Sequence, residues 1–146
     1  MNTEDGFLDW LAGFIDGEGN FYVAESQGYY SPRFAISLRA DDWEALVAIQ
    51  EHLGCGRLRD HSERRPLVHS HPSLRLDITR INDCLALVDL LDGRLRAKKR
   101  QQFALWREAV ALVDEYGGGR TSEAYQRLAA LKAAIIAFNR EVVIPD

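Results

Sequence analysis

Residues 11–19 read Leu11-Ala12-Gly13-Phe14-Ile15-Asp16-Gly17-Glu18-Gly19, and this string decides how the rest of the chain is read. It closes a helix expected over Thr3–Gly17, in which Leu8, Leu11, Ala12 and Ile15 fall at helical spacing. Phe7, Trp10 and Phe14 form a second, adjoining stripe. Together the stripes are wider than the face a surface helix needs, so burial on two sides is expected. Two choices work against the helix. Gly13 costs about 1 kcal/mol relative to Ala in a helix interior; beside Ala12 it leaves a flat surface for the close approach of another helix. Asp16 and Glu18 stand at the helix C-terminus, where the dipole disfavours anions by ~0.3–1 kcal/mol each. Two carboxylates set there between glycines point to an external cation, and carboxylate and carbonyl oxygens suit a hard ion such as Mg²⁺. An acid-Gly-acid-Gly turn also occurs as a plain acidic turn.

Outward from this string, Asn20–Ser26 and Arg33–Arg39 alternate as strands, joined by the turn-like residues 27–32. Phe21 and Val23 oppose Asn20, Tyr22 and Ser26; Phe34, Ile36 and Leu38 oppose Arg33, Ser37 and Arg39. A helix is expected over Asp41–Leu53, with Asp41 as its cap and Gly54 at its end. Gly56–Asp60 and Leu74–Thr79 read as two more strands, with Arg57, Arg59, Arg75, Asp77 and Thr79 on their polar sides. Helices are expected over Ile81–Leu91, Leu95–Tyr116 and, after the glycines 117–119, Thr121–Arg140. Trp43 and Trp106 are expected in the core. On all four strands the polar side carries groups that can enter a major groove; the solvated outer face of an ordinary sheet would carry them too.

Composition sets bounds on function. The 146 residues, 47% hydrophobic and 27% charged, fit a single globular domain over 1–146. No apolar run is long enough for a membrane span, and residues 1–10 carry acids where a secretory signal carries bases. An intracellular protein of a bacterial cytoplasm or organelle matrix is expected, not a secreted or membrane-bound one. Cys55 and Cys84 lack metal-cluster spacing. The formal net charge is -4, unusual for a nucleic-acid binder. The charges segregate, however. Residues 1–19 hold five acids and no Lys or Arg; residues 94–107 hold Arg94, Arg96, Lys98, Lys99, Arg100 and Arg107 with no acid. One face can thus be positive on an acidic chain, although two solvated faces would give the same pattern. His69-Ser70-His71 has a spacing that can ligate a transition metal, but a loop contact or solvent exposure is the favoured reading.

The nine-residue string resembles the signature of the LAGLIDADG homing endonucleases, with Leu11, Ala12, Gly13, Ile15, Asp16 and Gly19 matching letter for letter. The αββαββα order, Leu53-Gly54-Cys55-Gly56 before a strand, and the helix start Lys98-Lys99-Arg100-Gln101-Gln102 extend the similarity over most of residues 7–115. The resemblance implies an α+β fold in which a curved antiparallel sheet forms a DNA-binding saddle, with additional helices at the C-terminus. With one motif per chain, it implies a homodimer acting on a long, near-palindromic site. Motif helices pack side by side in this family, which assigns Trp10, Ala12 and Gly13 to the dimer interface. The implied activity is site-specific cleavage of double-stranded DNA by metal-dependent hydrolysis, leaving 3′ overhangs, as in intron homing; no small-molecule substrate is expected. The alternative of the same fold is a cleavage-inactive DNA-binding regulator or an RNA maturase.

Residue by residue, the resemblance makes Glu18 a catalytic metal ligand, assisted by the carbonyl of Gly19. Asp16 supports the helix end from behind the metal, and Lys98 stabilises phosphate charge. The implied cofactor is Mg²⁺, or another divalent cation such as Mn²⁺, with Ca²⁺ binding without supporting cleavage. Where the family often carries a polar residue late in the second strand this chain has Leu38, with Arg39 next to it. DNA contacts are expected from Asn20, Tyr22, Ser26, Arg33, Ser37, Arg39, Arg57, Arg59, His61, Arg75 and Asp77, with Arg57 and Arg59 foremost because Arg pairs well with guanine.

Overall fold

The structure, a computed structural model, describes residues 3–60 and 72–140. Helix α1 (Thr3–Glu18) runs without a loop into strand β1 (Gly19–Ser26), which turns back as β2 (Tyr29–Arg39). A single 3₁₀ turn (Ala40–Asp42) leads to α2 (Trp43–Leu53), then β3 (Arg57–Asp60), β4 (Ser73–Ile78) and α3 (Ile81–Leu91). Two longer helices follow, α4 (Lys99–Tyr116) and α5 (Tyr125–Arg140). The strands form one antiparallel sheet in the order β1-β2-β4-β3. None of the described helices is long and apolar enough to cross a membrane.

Alternation determines which face the helices cover. The register sets Phe21 against Phe34, Phe34 against Ile78, and Ile36 against Leu76, so one face of the sheet is a continuous apolar floor. Leu11 and Ile15 of α1, Leu46 and Ile49 of α2, Leu87 and Leu91 of α3, and Trp106 of α4 join it in one core. Phe21 is its centre, with ring centroids 4.9 Å from Phe34, 5.0 Å from Trp106 and 5.3 Å from Phe103. Burial of each such side chain stabilises the fold by about 2–3 kcal/mol.

The outer edge of β1 is closed by side chains of α4. The Phe21 amide donates to Oε1 of Gln102 at 3.0 Å, and the Trp106 indole donates to the Tyr22 carbonyl at 3.1 Å. An edge strand left open would expose unpaired backbone groups; here α4 lies along it. At the far end of the hairpin, the Tyr30 amide donates to the Gly118 carbonyl at 2.8 Å. A Cβ on Gly118 would lie 1.9 Å from the Tyr30 oxygen, so only glycine lets the α4–α5 connection pass there.

Several expectations from sequence shift. The turn between β1 and β2 is two residues, Gln27 and Gly28, both at positive φ, so β2 starts earlier than the alternation suggests. Asp41 does not cap α2. The Ala40 amide is held by the Pro72 carbonyl at 2.8 Å, the chain leaves the sheet through a 3₁₀ turn, and Asp41 pairs with Arg39 instead. Trp43 consequently starts α2 at the surface, 50% exposed, and is not a core residue; Trp106 is fully buried. Helix α4 begins at Lys99: residues 95 and 96 are irregular, and the first turn is closed by i→i+3 bonds from Arg100 to Ala97 and from Gln101 to Lys98. Short turns over residues 119–125 likewise delay α5 to Tyr125.

Candidate active site and nucleic-acid interface

The end of α1 is built around two acids with different surroundings. Gly19 must be glycine: an added Cβ would sit 2.7 Å from Ile15 Cγ2 and 2.9 Å from the Ile15 carbonyl oxygen. Helix and strand therefore join with no intervening residue, and Glu18 is carried at a fixed corner. Asp16 accepts the backbone amides of Arg96 at 2.9 Å and Ala97 at 3.2 Å, one on each carboxylate oxygen. That clamp ties the motif helix to the chain entering α4. Glu18 is exposed and has no hydrogen-bond or ion-pair partner among the described residues.

The clamp brings the basic start of α4 to the acids. Asp16, Ala97, Lys98, Lys99, Gln102, Phe138 and Asn139 line a cavity of about 260 Å³. Lys98, assigned from the resemblance, lies with Nζ 4.8 Å from the centre of the Phe138 ring. Lys99 was not singled out from sequence, yet it lines the same cavity as Asp16 and feels the charge of both Asp16 and Glu18. Burial pushes its pKa below the usual lysine value, while Asp16 and Glu18 act in the opposite direction. Two adjacent lysines look alike in sequence, and only the helix phase separates them. Gln102, Phe138 and Asn139 were also missed.

Among the described residues no three His, Cys, Asp or Glu side chains gather to hold a metal. Both oxygens of Asp16 are engaged. Burial pushes the Cys84 thiol up to about 12 and raises that of Cys55, so neither supplies a thiolate near neutral pH. One chain thus offers a hard cation the Glu18 carboxylate and nearby backbone carbonyls, and the remaining oxygens would have to come from a nucleic acid, water or a second copy. That donor set fits Mg²⁺, which normally keeps several non-protein ligands.

The open face of the sheet gathers the expected contact residues, but they do not act alike. The register places Tyr22 opposite Arg33, Ser37 opposite Arg75, and Arg57 opposite Asp77, all on the side away from the core. Asn20, Ser26, Ser37, Arg39, Arg57 and Arg59 are exposed. Asp77, expected as an outward contact, is instead drawn into the sheet: its side chain is 6% exposed, and it accepts Arg59 Nε at 2.8 Å and Arg75 Nε at 2.7 Å. The reason is its position opposite Arg57 in the middle of the sheet, with arginines on both sides to neutralise it. Arg75 also donates to the Tyr22 hydroxyl at 2.8 Å, so Arg75 and Tyr22 belong to this strut. Burial opposes the Arg75 charge, but Asp77 and Tyr22 together raise its pKa. Arg33, Arg57, Arg59, Asp77 and Thr79 surround a cavity of about 210 Å³, and Nε of Arg33 is buried without a partner among the described residues. His61 and the His69–His71 pair lie outside the described residues.

A family model described as LAGLIDADG endonuclease matches residues 11–110. The chain belongs to the LAGLIDADG endonuclease family. It is 29% identical over 113 residues to a probable intron-encoded endonuclease 4 of Neurospora crassa, covering 77% of this chain and 19% of that relative. A second Neurospora crassa relative, probable intron-encoded endonuclease 2, is 24% identical over 107 residues, covering 72% of this chain and 22% of its own length. The chain thus spans about a fifth of the curated relatives it matches. Among solved structures it resembles the LAGLIDADG meganuclease I-AabMI bound to uncleaved DNA, with a TM-score of 0.74 and 24% identity over 95% of this chain and 53% of that one. It also resembles the archaeal intron-encoded homing endonuclease I-Vdi141I complexed with DNA, with a TM-score of 0.74 and 23% identity over 98% and 90% of the two chains. The α+β fold is that of the LAGLIDADG homing endonucleases.

The LAGLIDADG helix carries an outer face as well as an inner one. Trp10 is 45% exposed, and a Cβ built on Gly6, Gly13 or Gly17 would meet nothing within 4 Å. Phe7, Trp10 and Phe14 form an aromatic row beside these glycines, with centroids 5.5 and 5.3 Å apart. Ala12 does not belong to this face. At 2% exposure it packs in the chain's own core, because its helical phase puts it with Leu11 and Ile15. Leu38 likewise packs against the core, while Arg39 points to the open side and pairs with Asp41 at 3.4 Å.

Proposed function

We propose that this protein is a site-specific, metal-dependent double-strand DNA endonuclease that works as a homodimer. The observation that carries the reading is the division of labour at the end of the motif helix. Asp16 is locked onto the backbone amides before α4, and Glu18, held at the corner by Gly19, stays exposed within electrostatic reach of Lys99. An unpaired carboxylate at a helix C-terminus is electrostatically unfavourable unless a cation joins it. The family and its fold support DNA as the substrate.

In this reading Glu18 and the Gly19 carbonyl hold Mg²⁺, which Mn²⁺ can replace, whereas Ca²⁺ binds without turnover. The bound ion supplies Lewis-acid chemistry, activating water and stabilising the leaving 3′ oxygen. The chain's own groups do the rest. Lys98 and Lys99 place positive charge where the phosphate gains negative charge. Arg33, Arg57 and Arg59 meet bases and phosphates from the sheet, while Asp77 ties Arg59 to Arg75. The outer face of α1, with Trp10, Gly13 and Gly17, is where a second copy packs. Two Glu18 carboxylates brought together across the two-fold axis would repel, and bound cations would offset that repulsion. One cut per strand leaves a 3′ overhang on a near-palindromic site.

Cleavage of a randomised duplex library with Mg²⁺ or EDTA, followed by sequencing of the ends, tests this. One long near-palindromic site, cut with a stagger only when Mg²⁺ is present, is expected. A site that is bound but never cut would replace the endonuclease with a DNA-binding regulator, and no DNA binding at all would redirect the search to RNA.

A further inference from the structure

The C-terminal helix reaches the active-site cavity, although nothing in the motif refers to it. Phe138 and Asn139 of α5 line the same cavity as Asp16, Lys98 and Lys99. Asn139 is joined to the motif by a chain of hydrogen bonds. The Phe21 amide, two residues past Gly19, can only donate, so it fixes Oε1 of Gln102 as its partner. The Gln102 Nε2 group must then donate, and Oδ1 of Asn139 accepts it. Each amide orientation follows from the one before it. Gln102 is only 2% exposed, where an unmatched amide group carries a desolvation penalty.

Removing the acceptor at position 139 therefore does more than delete one surface bond. It takes from the Nε2 group of Gln102 the acceptor that orients it and frees the amide to turn. With the carbonyl end rotated away, the Phe21 amide on the outer edge of β1 loses its partner. The strand segment that begins at Gly19 and carries the corner of Glu18 is then held less firmly. Geometry at a reacting centre tolerates little looseness.

We infer that Asn139 is a positioning residue for this site, acting through Gln102 and the Phe21 amide to hold the Glu18–Gly19 corner in place. The inference rests on the endonuclease reading for its effect on cleavage, but not for its effect on the hydrogen-bond chain. Phe138, against which Lys98 lies, supports the same wall from the neighbouring residue.

Two measurements on the full chain test this, with N139A and with N139D, whose carboxylate keeps an acceptor at the same reach. In the first, hydrogen exchange of the Phe21 amide is followed by NMR without metal or DNA. Exchange in N139A is expected to rise about tenfold, the loss of roughly one hydrogen bond, and to return toward wild type in N139D. In the second, single-turnover cleavage in Mg²⁺ is compared with DNA affinity in Ca²⁺. Cleavage by N139A is expected to fall about tenfold, the usual scale for a residue behind a metal ligand, with affinity unchanged and with N139D recovering most of the rate. Unchanged exchange in N139A would overturn the relay. Faster exchange with normal cleavage would overturn the positioning role, as would an equal loss of cleavage in both variants. If wild type cuts no DNA under any condition, the endonuclease reading fails, and the exchange measurement still decides the relay.

Discussion

The end of the motif helix and the open face of the sheet solve the same problem with opposite charges. At the helix end, Asp16 is engaged by two backbone amides while Glu18, two residues on, remains exposed. On the sheet, Asp77 is buried between Arg59 and Arg75, while Arg57 on the neighbouring strand stands open. In each region one charged group fixes the frame and another is left for a ligand. Period and residue type do not distinguish the two roles, because Asp16 and Glu18 share a motif and Arg57 and Arg75 share a face. Burial and partners make the distinction: a group whose hydrogen bonds are all met within the chain has little left to offer outside it.

Exchanging the free member of a pair should damage function, and exchanging the engaged member should damage the frame. The largest effect is expected from E18Q. Residues behind metal ligands cost ~10–100-fold when lost, so the ligand itself should cost more than about 100-fold in cleavage, with DNA affinity in Ca²⁺ nearly unchanged. A variant that cut at the wild-type rate would remove Glu18 from the site. Next comes D77A. It leaves the Arg75 charge uncompensated at 19% exposure, whereas Arg59, at 52%, can turn to water. A loss of about 3 kcal/mol in urea unfolding is expected, at the low end for breaking a buried pair. An unchanged midpoint would mean that the strut carries no load.

How much of this was legible in the sequence follows from what a period can encode. Alternation identified the floor and the open face of the sheet, because Phe34 and Ile36 must lie on the same side whatever covers them. Alternation reports side, not depth, so Asp77 looked like another outward contact. Ala12 was misplaced for a related reason: smallness suggested close approach, whereas helical phase turned it inward. Asp16 could be recognised as support from the motif, but its partners are backbone amides, which leave no mark on residue identity. Asn139 was invisible because its bond to Gln102 spans 37 positions and joins two helices that the motif does not relate. The Lys98–Lys99 pair shows the limit most simply, since adjacent identical residues differ only in where the helix begins.

A smaller effect should separate Arg57 from Arg75. R57A removes an open guanidinium and should weaken binding to the preferred site by about 1–2 kcal/mol, with relaxed choice at one base pair and normal stability. R75A should do the reverse, because Arg75 is bonded to Asp77 and Tyr22 within the chain. Site-selection profiles and urea melts of both variants measure the split, and equal loss of base preference in the two would abolish it.

The smallest effect tests the helix end itself. D16N keeps the shape of the side chain but replaces one of two acceptor oxygens by an NH₂ group, so it can satisfy the amide of Arg96 or of Ala97 but not both. Loss of one charge-assisted bond at a partly exposed position should cost about 1 kcal/mol, which for a chain of this size lowers Tm by roughly 2–4 °C. Binding to DNA in Ca²⁺ should be little changed, since the bonds that Asp16 makes are to the chain's own backbone. Cleavage should fall by about tenfold, far less than in E18Q, because the lysines at the start of α4 drift while the Glu18 carboxylate remains. If D16N and E18Q were equally inactive, Asp16 would be a ligand rather than a clamp, and the contrast between the two acids would collapse.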